Sequence, residues 1–184
     1  MAASTDGTLV VKATSYDCAR GLHSFVRWKP RGQSYRSEGC RACGAKLVDW
    51  RRLDRHDTGD IEYTVLSLQQ ELIRREFWTK PLDGKAINHA KGKGLVGLRE
   101  ATAHRLRRYL GRPRSELSRD GMQTPFAGNV IFYAQHATAT CCRKCVEAWH
   151  GVDREEPLTA EVVGYMTDLV MYYVGRRLQT YFSR

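Results

Sequence analysis

The chain has 184 residues and a formal net charge of +10, with 30 Lys and Arg against 20 Asp and Glu. This length suits one ordinary domain, or a compact domain with a small metal-stabilised module. No apolar run approaches the roughly 18 residues that a membrane-spanning helix needs, and residues 1–15 lack the pattern of a secretory signal. We therefore expect a cytoplasmic protein without a membrane partner.

The positive charge is unevenly distributed along the chain. Residues 1–60 carry 11 Lys and Arg against 7 Asp and Glu, residues 61–125 carry 13 against 7, and residues 126–184 carry 6 of each. A surplus of this sign favours phosphate polyanions. DNA or RNA is therefore the expected partner, and a role in solubility alone is the alternative.

Residues 1–60 predict a zinc-ribbon-like module. Short β-like pieces at 24–28 and 45–50 are separated by a basic, turn-rich loop. The segment has too few apolar residues for a core of its own, so a bound metal ion would supply the missing stabilisation. Cys40-Arg41-Ala42-Cys43-Gly44 has the form of a zinc knuckle. The expected ligands are Cys18, His23, Cys40 and Cys43, with His56 in reserve.

From residue 61 the apolar residues follow a helical period. They predict a helix from about 62 to Pro81, with Arg74 and Arg75 on its outer side. A short helix at 85–91 is then followed by a break at 92–94 and by a long helix at 95–110.

The last third of the chain predicts one strand and two helices. Val130-Ile131-Phe132-Tyr133-Ala134 is a run of β-favouring or apolar residues and predicts a strand. A helix is expected over 141–150, and Thr159 is the expected N-cap of the final helix. The predicted fold class is therefore α+β: a zinc-ribbon-like module at 1–60, and a mainly helical domain with a short sheet and a second Cys/His zinc site at 61–184.

The densest group of metal-ligating residues lies between residues 135 and 150. Thiolates combined with imidazoles select zinc over magnesium or calcium. The simplest tetrahedral set is His136, Cys142, Cys145 and His150, and Cys141 is the competing ligand because neighbouring residues rarely bind one ion. Four protein ligands would make a closed, structural site, whereas three would leave a position for catalysis, with Glu147 as the nearest general base.

Basic residues before this group predict a nucleic-acid-binding surface. In the first module they alternate with aromatic residues, as suits phosphate contact and base stacking. The glycines before the helix at 95–110 would let main-chain amides approach a phosphate. The expected contact residues are Arg31, Arg36, Lys91, Lys93, Arg105 and Arg108. An ordinary helical corner with solvated charges is the alternative.

An unusual set of motifs lies between residues 123 and 159. It consists of Gln123-Thr124-Pro125, Val130-Ile131-Phe132, the run from Gln135 to Arg143, Cys145, Trp149-His150 and Leu158-Thr159. In these motifs the sequence resembles a bacterial family of uncharacterised proteins, a domain of unknown function. The resemblance covers about residues 62–175, and 14–60 looks like an added zinc module of actinobacterial members. It implies a bacterial cytosolic protein with the Cys/His group as its signature, and it implies no particular activity.

The leading functional hypothesis is a protein with two structural zinc sites that binds nucleic acid through its basic face. The first alternative is an enzyme that acts on a nucleic acid or nucleotide at an open zinc within 136–150. The second is a protein–protein scaffold in which the final helix presents an apolar face of Met166, Met171, Tyr172 and Tyr173.

Overall fold

The computed structural model describes residues 11–28, 34–117 and 121–182. No helix within these ranges is both long and apolar enough to cross a lipid bilayer. The strands are β1 (Val26–Trp28) and β2 (Ser34–Arg36), and the helices are α1 (Trp50–Leu53), α2 (Ile61–Leu68), α3 (Leu72–Thr79), α4 (Gly84–Leu110), α5 (Val130–Ala137), α6 (Arg143–His150) and α7 (Ala160–Phe182). Single 3-10 turns lie at Cys18–Arg20, Thr58–Asp60 and Arg114–Glu116.

Helices dominate the described part of the chain, so the α+β prediction is wrong. The one sheet found there is a two-stranded antiparallel pair, β1 with β2, in which Val26 lies opposite Arg36. The short sheet predicted after residue 61 is not present among the described residues. The later part of the chain instead packs helix against helix.

The segment predicted as a strand at 130–134 begins the helix α5. The Asn129 side chain accepts a hydrogen bond from the Ile131 main-chain N–H at 2.8 Å and caps the helix. Seven of the eight α5 residues are buried, because the helix packs against α3, α4 and α7. A helix that is covered on nearly every side carries an unbroken apolar run, and a run of this length cannot be distinguished from a buried strand by periodicity.

The zinc-ribbon prediction for residues 1–60 is also wrong. A ribbon would hold its ligands on paired β-hairpins, but Cys18 begins a 3-10 turn that Gly21 closes in the left-handed conformation. His23 pairs its main chain with the segment between α2 and α3, through hydrogen bonds to the Gln70 carbonyl and from the Leu72 N–H. The ligands therefore come from turns that lie against the helical part of the molecule.

Three hydrophobic clusters lie among the described residues, and two of them pack the helices from α2 to α7 against one another. One is formed mainly by α3, α4, α5 and α7 and includes Phe77, Leu98, Ile131, Tyr133 and Tyr173. The other joins α2, the end of α4, α6 and α7 through Val65, Leu106, Val146, Met166 and Leu169. Within the aromatic and methionine stripe of α7, Met166 and Tyr173 are fully buried, and Met171 and Tyr172 are partly buried against the core.

Several helix boundaries agree with the sequence predictions. Gly94, with φ of 63°, interrupts α4 where the break at 92–94 was expected. The Thr159 hydroxyl accepts from the Val162 N–H at 3.3 Å and caps α7. The predicted helix from 62 to Pro81 is divided into α2 and α3, since residues 69–71 turn to pair with His23.

The core position of α4 leads to a stability prediction. Leu98 is fully buried and Leu95, on the same helix, is 59% exposed. Leu98→Ala should lower the free energy of unfolding by about 2–5 kcal/mol because it leaves a cavity. Leu95→Ala should change it by less than about 0.5 kcal/mol. Urea denaturation followed by circular dichroism measures both, and equal losses in the two variants would contradict this packing.

Candidate metal centres

The first candidate metal centre combines Cys18, His23, Cys40 and Cys43. Their ligand atoms all lie within 4.8 Å of one another. The Cys18 and Cys40 sulfurs are 3.7 Å apart, and the Cys43 sulfur is 3.5 Å from His23 Nδ1. Zinc–sulfur bonds of about 2.3 Å and zinc–nitrogen bonds of about 2.0 Å give tetrahedron edges of about 3.8 Å and 3.5 Å. These two distances therefore fit a single tetrahedral ion.

The knuckle at residues 40–44 supplies main-chain donors to the first centre. Gly44 has φ of +76°, which lets its N–H donate to the Cys40 carbonyl at 2.8 Å. The Ala42 N–H points to the Cys40 sulfur at 3.4 Å. Burial opposes ionisation of Cys40, but main-chain donors from Cys43, Ser24 and Ala42 outweigh it and lower the pKa of this thiol to about 6. This cysteine is therefore prepared to bind metal as a thiolate.

The second candidate centre combines Cys141, Cys142 and Cys145. The three sulfurs lie within 4.8 Å of one another, and no fourth Cys, His, Asp or Glu among the described residues joins the group. Cys142 precedes α6 in an extended conformation, and Cys145 lies in the first turn of that helix. The partial positive charge at this helix end favours thiolates.

The loop between α5 and α6 is held in place by hydrogen bonds from side chains outside it. Gln135 Nε2 donates to the Thr140 carbonyl at 2.9 Å, and the Thr124 hydroxyl donates to the Cys141 carbonyl at 2.8 Å. Ala139 has φ of +57°, which is unusual for a residue with a side chain and indicates that the surrounding contacts enforce the turn. These contacts let two neighbouring cysteines turn their sulfurs toward one point.

A buried ion pair supports the second centre. Arg74 and Glu71 are both fully buried, and Arg74 Nε donates to the Glu71 carboxylate at 3.0 Å. Arg74 Nη2 lies 3.2 Å from the Cys145 sulfur. The thiols also bond to one another: hydrogen bonds from Cys142 and Cys145 lower the pKa of Cys141 well below its ordinary value, and Arg74 adds to this effect. One thiolate can thus form before metal binds.

The second centre faces a cavity of about 440 Å³. The three cysteines of this centre are 5–8% exposed, and all three line the cavity. The other lining residues are Val11, Lys12, Ala13, Ile73, Arg74, Gly121, Met122, Phe126, His136 and Lys144. A small molecule could therefore reach a metal ion held by the three sulfurs.

Comparison with known proteins identifies the family. Residues 62–175 match a domain of unknown function, DUF4186. The chain belongs to this family. No solved structure matches the chain. The matched segment contains the second centre together with Glu71 and Arg74, whereas the four residues of the first centre precede it. The second centre is thus part of the family domain itself.

The two histidines predicted as ligands near the second centre make other contacts. The Nε2 atom of His136 lies 3.2 and 3.1 Å from the Thr124 and Pro125 carbonyl oxygens, and His150 Nε2 lies 2.9 Å from the Thr138 carbonyl oxygen. Burial lowers the pKa of His136 to about 4 and that of His150 to about 3, so both are neutral and donate from Nε2. The structure does not bring either ring into the three-cysteine group.

The other predicted site residues are dispersed. Glu147 is near Arg154, at 3.9 Å, and does not line the three-cysteine cavity. Arg36 binds Asp54 and the Ala148 carbonyl, and Arg105 binds Gln135 and the Gln123 carbonyl. Lys91, Lys93 and Arg108 are exposed, and Arg31 lies outside the described residues.

Sequence reasoning missed Arg74 and Glu71. It placed Arg74 on the outer side of its helix, but this side chain is fully buried. Residues three or four apart share a helix face, and Arg74 lies three residues from both Glu71 and the buried Phe77. This spacing could have indicated that Arg74 lies on the buried face of its helix. The positive charge of the side chain instead favoured a position on the surface.

The two centres lead to a prediction of metal content. The wild type should bind two metal ions per chain, and Cys43→Ser and Cys145→Ser should each bind one. His136→Gln and His150→Gln are the matched controls and should retain two, because both rings bond to main-chain carbonyls. Elemental analysis of the purified proteins measures the stoichiometry. Loss of an ion from either histidine variant would show that the ring is a ligand.

Burial of His150 predicts a pH dependence of stability. Its pKa is about 3 in the folded protein and about 6.5 in an unfolded chain. The unfolded state therefore binds more protons between these values, so His150 favours folding above pH 6.5 and this contribution is lost as the pH falls toward 3.

Lowering the pH from 7 to 5 should remove about 2 kcal/mol of stability through this residue. Chemical denaturation at each pH should give a shallower pH dependence for His150→Gln than for the wild type. The exposed His104→Gln is the control and should keep the wild-type dependence. Equal slopes in all three proteins would refute the assignment, and comparing slopes cancels the shared effect of metal release in acid.

Proposed function

We propose that this protein is a zinc-dependent enzyme with one structural zinc and one open zinc centre. The observation that carries the proposal is that the sulfurs of Cys141, Cys142 and Cys145 converge within 4.8 Å on the wall of a cavity. Catalytic zinc sites use three protein ligands and keep the fourth position for water or substrate. The open centre would hold the substrate in this position.

The first centre has the composition of a structural zinc site. Three cysteines and one histidine complete a tetrahedron without an exogenous ligand, as closed structural sites do. The segment that provides them contributes few buried apolar residues, among them Phe25, Val26 and Leu53. Zinc binding would therefore contribute directly to the folding of this segment.

Zinc is the metal ion that the donor atoms favour. Thiolates with imidazole select zinc over hard cations, and each group of donors converges on one point, as for one ion. An iron–sulfur cluster would need its cysteines to reach separate iron atoms. The six free thiols of the chain can bind metal only while they remain reduced, and thiols remain reduced in the cytosol. This requirement supports a cytoplasmic location.

A nucleic-acid-binding role has less support than an open zinc centre. Two of its six expected contact residues, Arg36 and Arg105, use their guanidinium groups in contacts within the molecule. The cavity of about 440 Å³ is of a size typical of small-molecule sites. We therefore propose a small molecule as the substrate of the second centre.

Cobalt(II) substitution tests whether the second centre is open. Cobalt reports its ligands through visible absorption, and azide is a small anion that can occupy a vacant position. Azide should change the cobalt spectrum of the wild type in a saturable manner, and this change should be absent in Cys145→Ser. Cys43→Ser, which removes a candidate ligand of the first centre only, should keep the response. A wild-type spectrum that azide leaves unchanged would refute an open centre.

A further inference from the structure

The chemistry of a three-thiolate zinc centre restricts what its open position binds. Three thiolates around Zn²⁺ give the centre a net charge of −1, whereas neutral histidine ligands leave the charge of the ion intact. Zinc held by three histidines lowers the pKa of its bound water to about 7, and anionic sulfur ligands weaken this effect. A thiol, with an ordinary pKa of about 8.5 against 15.7 for water, ionises on such a centre far more readily.

Hydrogen-bond donors beside the second centre can stabilise additional negative charge on its sulfurs, although the Arg74 charge is also paired with Glu71. Arg74 holds a fixed positive charge beside Cys145, with its Nη2 at 3.2 Å from the sulfur. Its Nη1 donates to the His136 carbonyl at 2.7 Å, which fixes the orientation of the guanidinium. A fourth thiolate would change the net charge of the centre from −1 to −2. The hydrogen bond from Arg74 to the Cys145 sulfur would stabilise the sulfur that carries part of that charge.

The cavity in front of the sulfurs combines an apolar wall with cationic side chains. Ile73, Met122 and Phe126 form part of the wall. Lys12 and Lys144 also line it, and none of the described lining residues is an Asp or Glu. A carbon skeleton can contact the wall while an anionic group on the same molecule meets the ammonium groups.

We propose that the open position of the second centre binds a small thiol that carries an anionic group. This inference rests on the proposed function, and it names the ligand class of the same centre. The thiol sulfur forms a bond to zinc, the bound water leaves, and the thiol proton is released to solvent through the open cavity. The ligand is held as a thiolate, with its anionic group toward Lys12 and Lys144.

Three related compounds test this inference on the cobalt(II)-loaded protein. Mercaptoacetate has both the thiol and the negative charge, glycolate replaces the thiol by a hydroxyl, and 2-aminoethanethiol replaces the negative charge by a positive one. Mercaptoacetate should cause a saturable rise in thiolate-to-cobalt charge-transfer absorption. We expect binding of 2-aminoethanethiol to be at least tenfold weaker, and glycolate to cause no such rise.

Two variants serve as controls for this titration. Cys145→Ser should lose the response to mercaptoacetate. Lys12→Gln combined with Lys144→Gln should keep the charge-transfer change but reduce the preference for mercaptoacetate over 2-aminoethanethiol at least threefold. An unchanged preference in the double variant would overturn the assignment of the anionic group to these lysines.

The failure of this inference can be distinguished from the failure of the proposed function. If azide alters the cobalt spectrum but mercaptoacetate does not, the centre is open and the thiol ligand is wrong. A glycolate response equal to that of mercaptoacetate, or removal of cobalt by the thiol, would also overturn the inference. If neither azide nor mercaptoacetate has any effect, the open centre itself is refuted.

Discussion

The buried ion pair between Glu71 and Arg74 joins three helices of this molecule at one point. A charged pair removed from water is costly, and further hydrogen bonds to its donors and acceptors reduce that cost. Arg74 donates to Glu71, to the His136 carbonyl and to the Cys145 sulfur, whereas the Oε1 atom of Glu71 has no hydrogen-bond partner among the described residues. Trp149 adds a hydrogen bond from its indole N–H to Glu71 at 2.9 Å. The pair therefore holds α3, α5 and α6 in one arrangement.

The same pair connects the two candidate metal centres. His23 is a candidate ligand of the first centre, and its main chain pairs with the residues on either side of Glu71. Phe25 and Trp149 fill the space nearby, with ring centroids 5.8 Å apart, and Cys40 belongs to the same cluster as Cys141, Cys142 and Cys145. Metal binding at either centre would thus stabilise residues that also support the other, because a bound metal contributes free energy to the folded state.

Local signals predicted the parts of the structure that depend on local interactions. The knuckle at 40–44, the break at Gly94 and the Thr159 cap each require only neighbouring residues, and all appear in the structure. The helix at 130–137 and the buried Arg74 depend on what other elements place around them. A run such as Val130–Ala134 gives the same pattern in a buried helix and a buried strand, and the burial of Arg74 depends on the Glu71 carboxylate and the His136 carbonyl that accept its hydrogen bonds.

The positions of the histidines decide the character of the second centre. Five potential ligands in the run from His136 to His150 suggested a complete tetrahedron, but ligand spacing along the chain does not determine where a ring nitrogen points. Each histidine donates from Nε2 to a main-chain carbonyl, and the bond from His150 to Thr138 holds the loop that carries Cys141 and Cys142. Three sulfurs then remain as the group that could hold a metal ion. In the proposed open centre, the histidines would help to fix the shape of the site, and a ligand from the cavity would occupy the fourth position.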